Sequence, residues 1–125
     1  MKIYTSYFGN RNLDKDLVPI AICLYPPKGF QGLLYQKIAP NYEILKDWKD
    51  GRKDDEAKGA YERAYKRKIL RRLNPLEVFS DLEKLSNGKD IVLLCYEKPN
   101  DFCHRHIFAK WMNLSLDKEL EIKEI

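Results

Sequence analysis

Residues 90–96 read Asp-Ile-Val-Leu-Leu-Cys-Tyr, a run that stays apolar from Ile91 onward. A segment that is apolar at every position is typical of a strand buried on both faces, since a strand with one face in water alternates apolar and polar residues. Residues 18–25, Val-Pro-Ile-Ala-Ile-Cys-Leu-Tyr, have the same character and end before two prolines. Residues 2–8 are rich in aromatic and β-branched types and end at a Gly-Asn turn. The three segments predict strands of one central sheet.

Helical patterns lie between and after these strands. Apolar spacing predicts helices over residues 41–50, 54–73 and 74–87, and a fourth helix that begins at Asn100 or Asp101. Residues 26–40 contain three prolines and two glycines and predict an irregular loop, whereas residues 120–123 alternate like a short edge strand. Buried strands separated by helices predict an α/β fold, with a small, mostly parallel sheet covered by helices.

The overall composition limits the class of protein. A chain of 125 residues that is 44% hydrophobic can build one compact core, so we expect a single domain over residues 1–125. Mean hydropathy is −0.58, and no segment approaches the roughly 20 apolar residues that cross a bilayer, so no membrane partner is predicted. The first residues lack the apolar core of a signal peptide, and three cysteines are too few for a disulfide framework. We therefore predict a cytoplasmic protein, and no cofactor.

Basic residues are concentrated in one segment. The net charge is +4, and five of the seven residues from 66 to 72 are basic. They belong to the predicted helix 54–73. A basic helix face is usually a solvated face, but its clustering near two tyrosines favours an alternative function, that of a non-catalytic nucleic-acid-binding module. The candidates for phosphate contacts are Arg63, Lys66, Arg67, Arg71 and Arg72.

Chemically active residues follow the predicted strands. Ligands of open α/β sheets bind beyond the carboxyl ends of the strands. After the first strand this rule selects Ser6 and Tyr7, and after the second it selects Lys28. All three are predicted to contribute to ligand binding. The third and richest segment follows the strand over residues 90–96.

In that segment Cys95 and Glu97 are two residues apart on an extended chain and point to the same side, while Cys103, His104 and Arg105 form the first turn of the next helix. Unpaired N–H groups and the positive end of the helix dipole attract anions and lower the pKa of a thiol. We predict catalytic roles for Cys103, Glu97 and His104, and binding roles for Arg105 and Cys95.

These residues lead to the first functional hypothesis, an enzyme or an enzyme-derived binder of a phosphate-like or nucleotide-like ligand. The backbone amides of residues 102–105 and the planar Arg105 fork are predicted to hold the anion. The structural alternative is an ion pair between Arg105 and Glu97 that fills the anion site.

A third hypothesis is a redox or metal site through Cys95 and Cys103. Zinc can be drawn from these thiols with His104 and Glu97, but the spacing lacks the paired form C-x₂₋₄-C that is typical of zinc sites. The sequence therefore predicts no bound metal. A cysteine at the end of an apolar strand is also a common core residue, which leaves Cys95 open to either role and favours a core position for Cys23.

The residues around this segment resemble a known family. Residues 93–99, Leu-Leu-Cys-Tyr-Glu-Lys-Pro, and residues 102–106, Phe-Cys-His-Arg-His, resemble the signature of the family called Domain of Unknown Function 488, and residues 4–8 and 38–40 resemble its short-chain branch. The resemblance implies an α/β fold, and its matched positions are Cys95, Glu97, Cys103, His104 and Arg105. Many members carry an acidic residue and an arginine late in the second strand, whereas this chain has Ile-Cys-Leu-Tyr at residues 22–25.

Overall fold

A computed structural model describes residues 1–125. Five strands form one sheet in the order β3-β2-β4-β1-β5. They are β1 (Ile3–Tyr7), β2 (Val18–Ala21), β3 (Leu33–Leu34), β4 (Ile91–Cys95) and β5 (Lys123–Glu124). Every pair of neighbouring strands is parallel. The predicted α/β fold is therefore confirmed.

Strand β4 lies at the centre of the sheet, in agreement with its unbroken apolar sequence. All five of its residues are buried, and β1 and β2 flank it on either side. Tyr7 of β1 lies opposite Cys95, and Ala21 of β2 lies opposite Leu94. The three central strands consequently end at one edge of the sheet, the edge where a parallel fold places its ligands.

Four helices accompany the sheet, and their starts follow from local sequence. They are α1 (Tyr42–Asp50), α2 (Asp55–Lys68), α3 (Pro75–Ser86) and α4 (His104–Asn113). Asn74 accepts a hydrogen bond from the Leu76 amide and precedes a proline at the first helical position of α3. Asn87 ends the same helix in the left-handed conformation, with φ of 54°. No helix is long and apolar enough to span a membrane.

The main core contains 17 buried residues drawn from strands and helices. Tyr65 of α2 is fully buried, and its hydroxyl donates a hydrogen bond of 2.6 Å to the carbonyl of Ile38. Its ring meets the ring of His104 edge-on at a centroid distance of 5.6 Å. A smaller cluster at the carboxyl ends of the strands consists of Ala21, Cys23, Cys95 and Cys103. The helices thus pack directly against the candidate site.

Five elements differ from the sequence-based predictions. Helix α4 begins at His104 with Cys103 as its N-cap, and not at Asn100 or Asp101. The last strand is Lys123–Glu124, and not residues 120–123, because residues 118–120 form a 3-10 turn. Strand β2 ends at Ala21 because the next residues leave the sheet and line a cavity, so the predicted strand over residues 18–25 is too long. Strand β3 lies inside residues 26–40, which were expected to be irregular throughout. Helix α2 ends at Lys68, and a short 3-10 turn, Leu70–Arg72, completes the segment expected to be helical to residue 73.

Candidate functional site

A cavity of about 270 Å³ opens at the carboxyl edge of the sheet, between the ends of β2 and β4 and the start of α4. Ten of its fourteen lining residues are hydrophobic, and five of them are aromatic: Tyr25, Trp48, Tyr61, Tyr96 and Phe102. The polar groups in the lining include Glu97, His104 and, from α1, the exposed Lys49. A small apolar cavity with a few convergent polar groups is the usual form of a small-molecule site.

Two sulfurs and an imidazole nitrogen meet at this cavity. The Sγ atoms of Cys95 and Cys103 and a ring nitrogen of His104 all lie within 4.8 Å of one another, and the three residues are buried. His104 Nδ1 is 3.7 Å from the sulfur of Cys95 and 3.9 Å from that of Cys103. Glu97 Oε2 lies 3.6 Å from the Cys95 sulfur. We call these four residues the thiol cluster; the sequence predicted all of them as site residues.

A hydrogen bond to the backbone fixes the orientation of the His104 ring. Its Nε2 lies 2.8 Å from the carbonyl oxygen of Ile22, just beyond the end of β2. A carbonyl can only accept a hydrogen bond, so Nε2 carries the ring proton. Nδ1, the other ring nitrogen, therefore faces the two sulfurs.

The two thiols differ in proton affinity. The neighbouring Cys95 thiol, helped by His104 and by the backbone amide of Arg105, holds the pKa of Cys103 below its usual value, although burial opposes this. The neighbouring Cys103 sulfur, together with burial, raises the pKa of Cys95. The pKa values of the two thiols are therefore shifted in opposite directions, and Cys103 is the more acidic of the two. A thiolate at the start of a helix is the nucleophilic form of cysteine.

The pKa of Glu97 is higher than that of an ordinary surface carboxylate. The residue as a whole is exposed, but its carboxylate turns towards Cys95. Desolvation there and the negative charge of Cys103 raise the pKa of Glu97. A carboxyl group with a raised pKa is a better proton donor to a bound ligand than an ordinary surface carboxylate is.

Arg105 lies behind the cluster and not in the cavity. Its side chain is fully buried, and its guanidinium donates from Nε and Nη2 to the two carboxylate oxygens of Glu124, at 3.0 and 2.8 Å. The structural alternative, an ion pair between Arg105 and Glu97, does not form, and the carboxylate that pairs with Arg105 is that of Glu124. The Arg105 guanidinium is therefore closed to solvent and does not line the cavity.

The other predicted binding residues lie away from the cavity lining. Ser6 is buried, and its hydroxyl donates to the carbonyl of Ile125. Tyr7 is partly buried and pairs with Cys95 across the sheet, while Lys28 is exposed in the loop after β2. The carboxyl edge of β1 is thus occupied by the C-terminal strand β5, which also pairs with β1.

The basic surface is formed by five exposed side chains on α2 and the following 3-10 turn: Arg63, Lys66, Arg67, Arg71 and Arg72. Lys66 forms a salt bridge of 3.2 Å with Glu62 one helical turn away. The structure brings these five residues onto one segment, as the sequence predicted, and keeps them separate from the thiol cluster. They do not line the cavity.

Residues that line the cavity from the helices escaped the sequence analysis. Trp48 of α1 and Tyr61 of α2 lie at apolar positions of the predicted helices 41–50 and 54–73, and their rings pack edge-on at 5.8 Å. Phe102 completes this aromatic wall, 4.7 Å from Trp48 and 5.0 Å from Tyr61. Their periodicity is that of core residues, so no signal in the sequence distinguishes a cavity wall from a filled core.

The thiol cluster also has the composition of a metal site. Tetrahedral zinc with bonds of about 2.3 Å to sulfur and about 2.0 Å to nitrogen separates these ligand atoms by about 3.6 Å, close to the two sulfur–nitrogen distances in the cluster. The hydrogen bond from His104 to a backbone carbonyl is typical of a metal-bound imidazole. Cys95, Cys103 and His104 are the residues that can hold an ion.

The fold and the thiol cluster define a parallel α/β protein with buried thiols at the carboxyl edge of its sheet. The chain belongs to the family DUF488-N3a, described as the active DUF488-N3 subclade, whose model matches residues 3–116. The resemblance to that family on the Cys-Tyr-Glu and Cys-His-Arg elements is thereby confirmed. No curated protein and no solved structure matches the chain.

Proposed function

We propose that the protein is an enzyme that uses the Cys103 thiolate as a nucleophile on a small, planar, nucleotide-like ligand. The observation that supports this proposal most directly is the convergence of Cys95, Glu97, Cys103 and His104 beside one aromatic-lined cavity. The ends of parallel strands and the start of a helix meet there, together with two groups whose pKa values are shifted, Glu97 and Cys103. Each of these features is frequent at catalytic sites.

The aromatic wall supports a ligand with a flat ring. Trp48, Tyr61 and Phe102 offer faces and edges on which a heterocyclic base can stack. Lys49 provides a cation in the lining of the same cavity, and it is exposed, so a phosphate can reach it from solvent. In this proposal Lys49 replaces Arg105 as the side chain that binds the anion.

The chemical roles follow from the proton positions. The Cys103 sulfur forms a bond to an electrophilic carbon of the ligand, and the bond from that carbon to the leaving group breaks. Protonated Glu97 gives its proton to the leaving group. Water then attacks the same carbon, Glu97 takes a proton from the water, and the carbon–sulfur bond breaks to restore the thiolate. Cys95 and His104 orient the Cys103 sulfur during both steps.

Selective alkylation tests the nucleophile. With iodoacetamide at pH 6, we expect labelling at Cys103 and almost none at Cys23, which lines the same cavity but whose pKa is raised by burial to about 11. Peptide mass spectrometry measures both sites in one sample. Equal, slow labelling of the two residues would contradict a Cys103 thiolate.

Thermal shift with nucleosides, nucleotides and inorganic phosphate tests the ligand class. We expect a nucleotide to raise the melting temperature more than phosphate alone, and Trp48→Ala to remove the difference because it removes the stacking surface. Lys49→Ala should weaken binding of nucleotides but not of nucleosides. Equal responses to phosphate and to all nucleotides would remove the base from the proposal.

The exposed basic surface supports a second candidate function, nucleic-acid binding by Arg63, Lys66, Arg67, Arg71 and Arg72. Contacts to phosphates release counterions, so such binding weakens steeply as salt is raised. Band shifts with single-stranded and duplex oligonucleotides provide the measurement, and the double substitution Arg71→Glu and Arg72→Glu should abolish them. Absence of binding at low salt removes this candidate without affecting the first.

The cluster distances support a third candidate, a metal-dependent or redox function. Cys95, Cys103 and His104 would hold the ion, which would supply Lewis-acid chemistry at the wall of the cavity. Metal analysis of freshly purified protein, with Cys95→Ser as the control, measures this directly. A stoichiometric metal that disappears in the control favours this candidate over the nucleophile, whereas metal-free protein with a reactive Cys103 favours the nucleophile.

A further inference from the structure

Another cavity, of about 390 Å³, lies between helices α1 and α2, and we call it the α1–α2 cavity. Trp48 and Tyr61 line it and also line the cavity of the thiol cluster, so this pair of side chains forms the boundary between the two. No residue of the thiol cluster lines the α1–α2 cavity. Its volume lies in the range of small-molecule sites, about 300 to 1,000 Å³, so it can hold a ligand of its own.

The charged residues of the α1–α2 cavity are mostly acidic. Asp47, Asp54 and Glu56 line it with a single cation, Arg52, and three negative charges against one positive charge leave a net charge of −2. The whole chain has the opposite sign, with a net charge of +4. None of these four residues forms a salt bridge within the protein. Uncompensated negative charge in a concave site attracts cations, so the lining favours a positively charged ligand.

Two of the three acids also have a structural role at the start of α2. Asp54 Oδ1 accepts a hydrogen bond of 2.9 Å from the Ala57 amide, and Glu56 lies in the first turn, where the helix dipole favours a carboxylate. Asp47 has no such role, because it lies in the last turn of α1, where the dipole disfavours a carboxylate. The Asp47 carboxylate and the negative end of α1 therefore both attract a cation.

The apolar part of the lining favours an organic cation over a metal ion. Trp48 and Tyr61 present aromatic rings, whose faces attract a cation placed within about 6 Å, and tryptophan does so most strongly. Ala57, Ala60 and Ala64 line the cavity from α2 and leave room between the helices because their side chains are small. An alkyl ammonium ion can bury its carbon chain on such a surface, whereas Mg²⁺ keeps its bound water and gains nothing from it.

We propose that the α1–α2 cavity binds a small organic ion with two or more ammonium groups, a diamine or a polyamine. Helix α1 supplies one carboxylate and the start of α2 supplies two, while the alkyl chain between the ammonium groups lies on Trp48 and Tyr61. The inference is independent of the proposed function. The proposed nucleotide site uses Lys49 and the thiol cluster, so the two sites share only the aromatic pair.

Calorimetric titration of the unmodified protein with spermidine tests the proposal, with putrescine as the shorter diamine and butanediol as its uncharged analogue. At constant ionic strength we expect saturable binding of spermidine at a single site, weaker binding of putrescine and none of butanediol. Asp47→Asn should weaken spermidine binding about fivefold, the effect of losing one ion pair near the surface. Arg52→Gln should strengthen it, because this substitution removes a like charge from the lining.

Two neighbouring acids in the first turn of α2 provide a matched control. Asp55 and Glu56 are both exposed, but only Glu56 lines the cavity. Glu56→Gln should weaken spermidine binding, whereas Asp55→Asn, which removes the same charge, should leave it unchanged. Melting temperatures without ligand show whether each variant is folded. Equal effects of the two substitutions would mean that spermidine responds only to the general charge of the helix, and would overturn the site.

Fluorescence of Trp48 gives a second measurement, because Trp111 is the only other tryptophan of the chain. In Trp111→Phe we expect spermidine to change the Trp48 emission with the affinity found by calorimetry. Displacement of spermidine by an equal concentration of Mg²⁺ would overturn the organic class of the ligand, and absence of spermidine binding to the unmodified protein would overturn the proposal outright. Cys103→Ser should bind spermidine as the original protein does, so either failure leaves the nucleophile proposal untouched.

Discussion

The neighbouring Cys95 thiol is the largest cause of the lowered pKa of Cys103. The substitution Cys95→Ser keeps a donor at this position, whereas Cys95→Ala removes it. We therefore expect Cys95→Ala to raise the pKa of Cys103, so that alkylation at pH 6 slows about tenfold for each unit by which the pKa comes to exceed that pH. The pH profile of iodoacetamide labelling, from pH 4 to 9, is the measurement.

The sign of this prediction follows from the protonation states. A lowered pKa keeps Cys103 ionised at neutral and mildly acidic pH, so labelling of the unmodified protein should vary little over that range. In Cys95→Ala the rate should fall as pH falls, because the thiol form becomes more abundant. Cys95→Ser should follow the unmodified protein closely. Identical profiles for the Ala and Ser variants would show that the Cys95 proton does not control Cys103.

At this scale the sequence predicted the members of the site better than their contacts. Cys95, Glu97, Cys103 and His104 occur within ten residues on a strand end and a helix start, so local geometry was sufficient to group them. The partner of Arg105 was not predictable in the same way. Glu124 is 19 residues further along the chain, in a two-residue strand, and only the pairing of β5 with β1 brings it into contact.

Helix α3 offers a test of how an element begins. The Asn74 side chain accepts a hydrogen bond of 2.9 Å from the Leu76 amide, one of the helix amides without an intrahelical partner. Asn74→Ala should reduce the free energy of unfolding by about 1 kcal/mol, which lowers the melting temperature by about 4 °C for a chain of this size. Thermal unfolding followed by circular dichroism measures the change.

Asn74→Asp is the matched variant, because aspartate caps a helix as well as asparagine does. It should retain most of the stability that the alanine variant loses. Asn74 does not line the cavity, so neither variant should alter Cys103 labelling. Equal melting temperatures for the alanine and aspartate variants would show that the Asn74 side chain does not stabilise α3.

The predictability of elements depended on their length. Helices with clear caps and the apolar strand β4 were placed within a few residues. Strand β3 has two exposed residues, and prolines and glycines surround it, so its extended form comes from pairing with β2 and not from local preference. The apolar run through residues 22–25 predicted a longer β2, because residues that line an apolar cavity have the same composition as residues that fill a strand.

At the scale of the whole molecule, the order of strands predicts an order of local stability. Strand β4 is buried at every residue and is flanked on both sides, whereas β3 and β5 are short edge strands. We expect backbone amides of Ile91–Cys95 to exchange with deuterium only through global unfolding, and amides of the edge strands to exchange through local opening. Hydrogen exchange followed by mass spectrometry resolves these segments. Comparable protection of β3 and β4 would contradict this ranking.

The architecture also limits what a sequence can disclose about the cavity. Its wall is assembled from the ends of two strands, from two helices that precede β4, and from the start of α4. The spacing of Trp48 and Tyr61 reports which side of each helix is apolar but not whether the facing volume is filled. That volume is set by how the helices pack on the sheet, which depends on the whole fold.

The hydrogen bond from His104 to the Ile22 carbonyl limits proton transfer through the imidazole ring. A carbonyl oxygen accepts a hydrogen bond but does not take up the proton, so nothing received at Nδ1 can leave through Nε2 to the opposite side. The His104 imidazole therefore does not pass protons from the thiol cluster to the opposite side of the ring. Protons that the thiol cluster gains or loses therefore travel by other routes than His104, through the exposed Glu97 or through the two cavities that Cys103 lines.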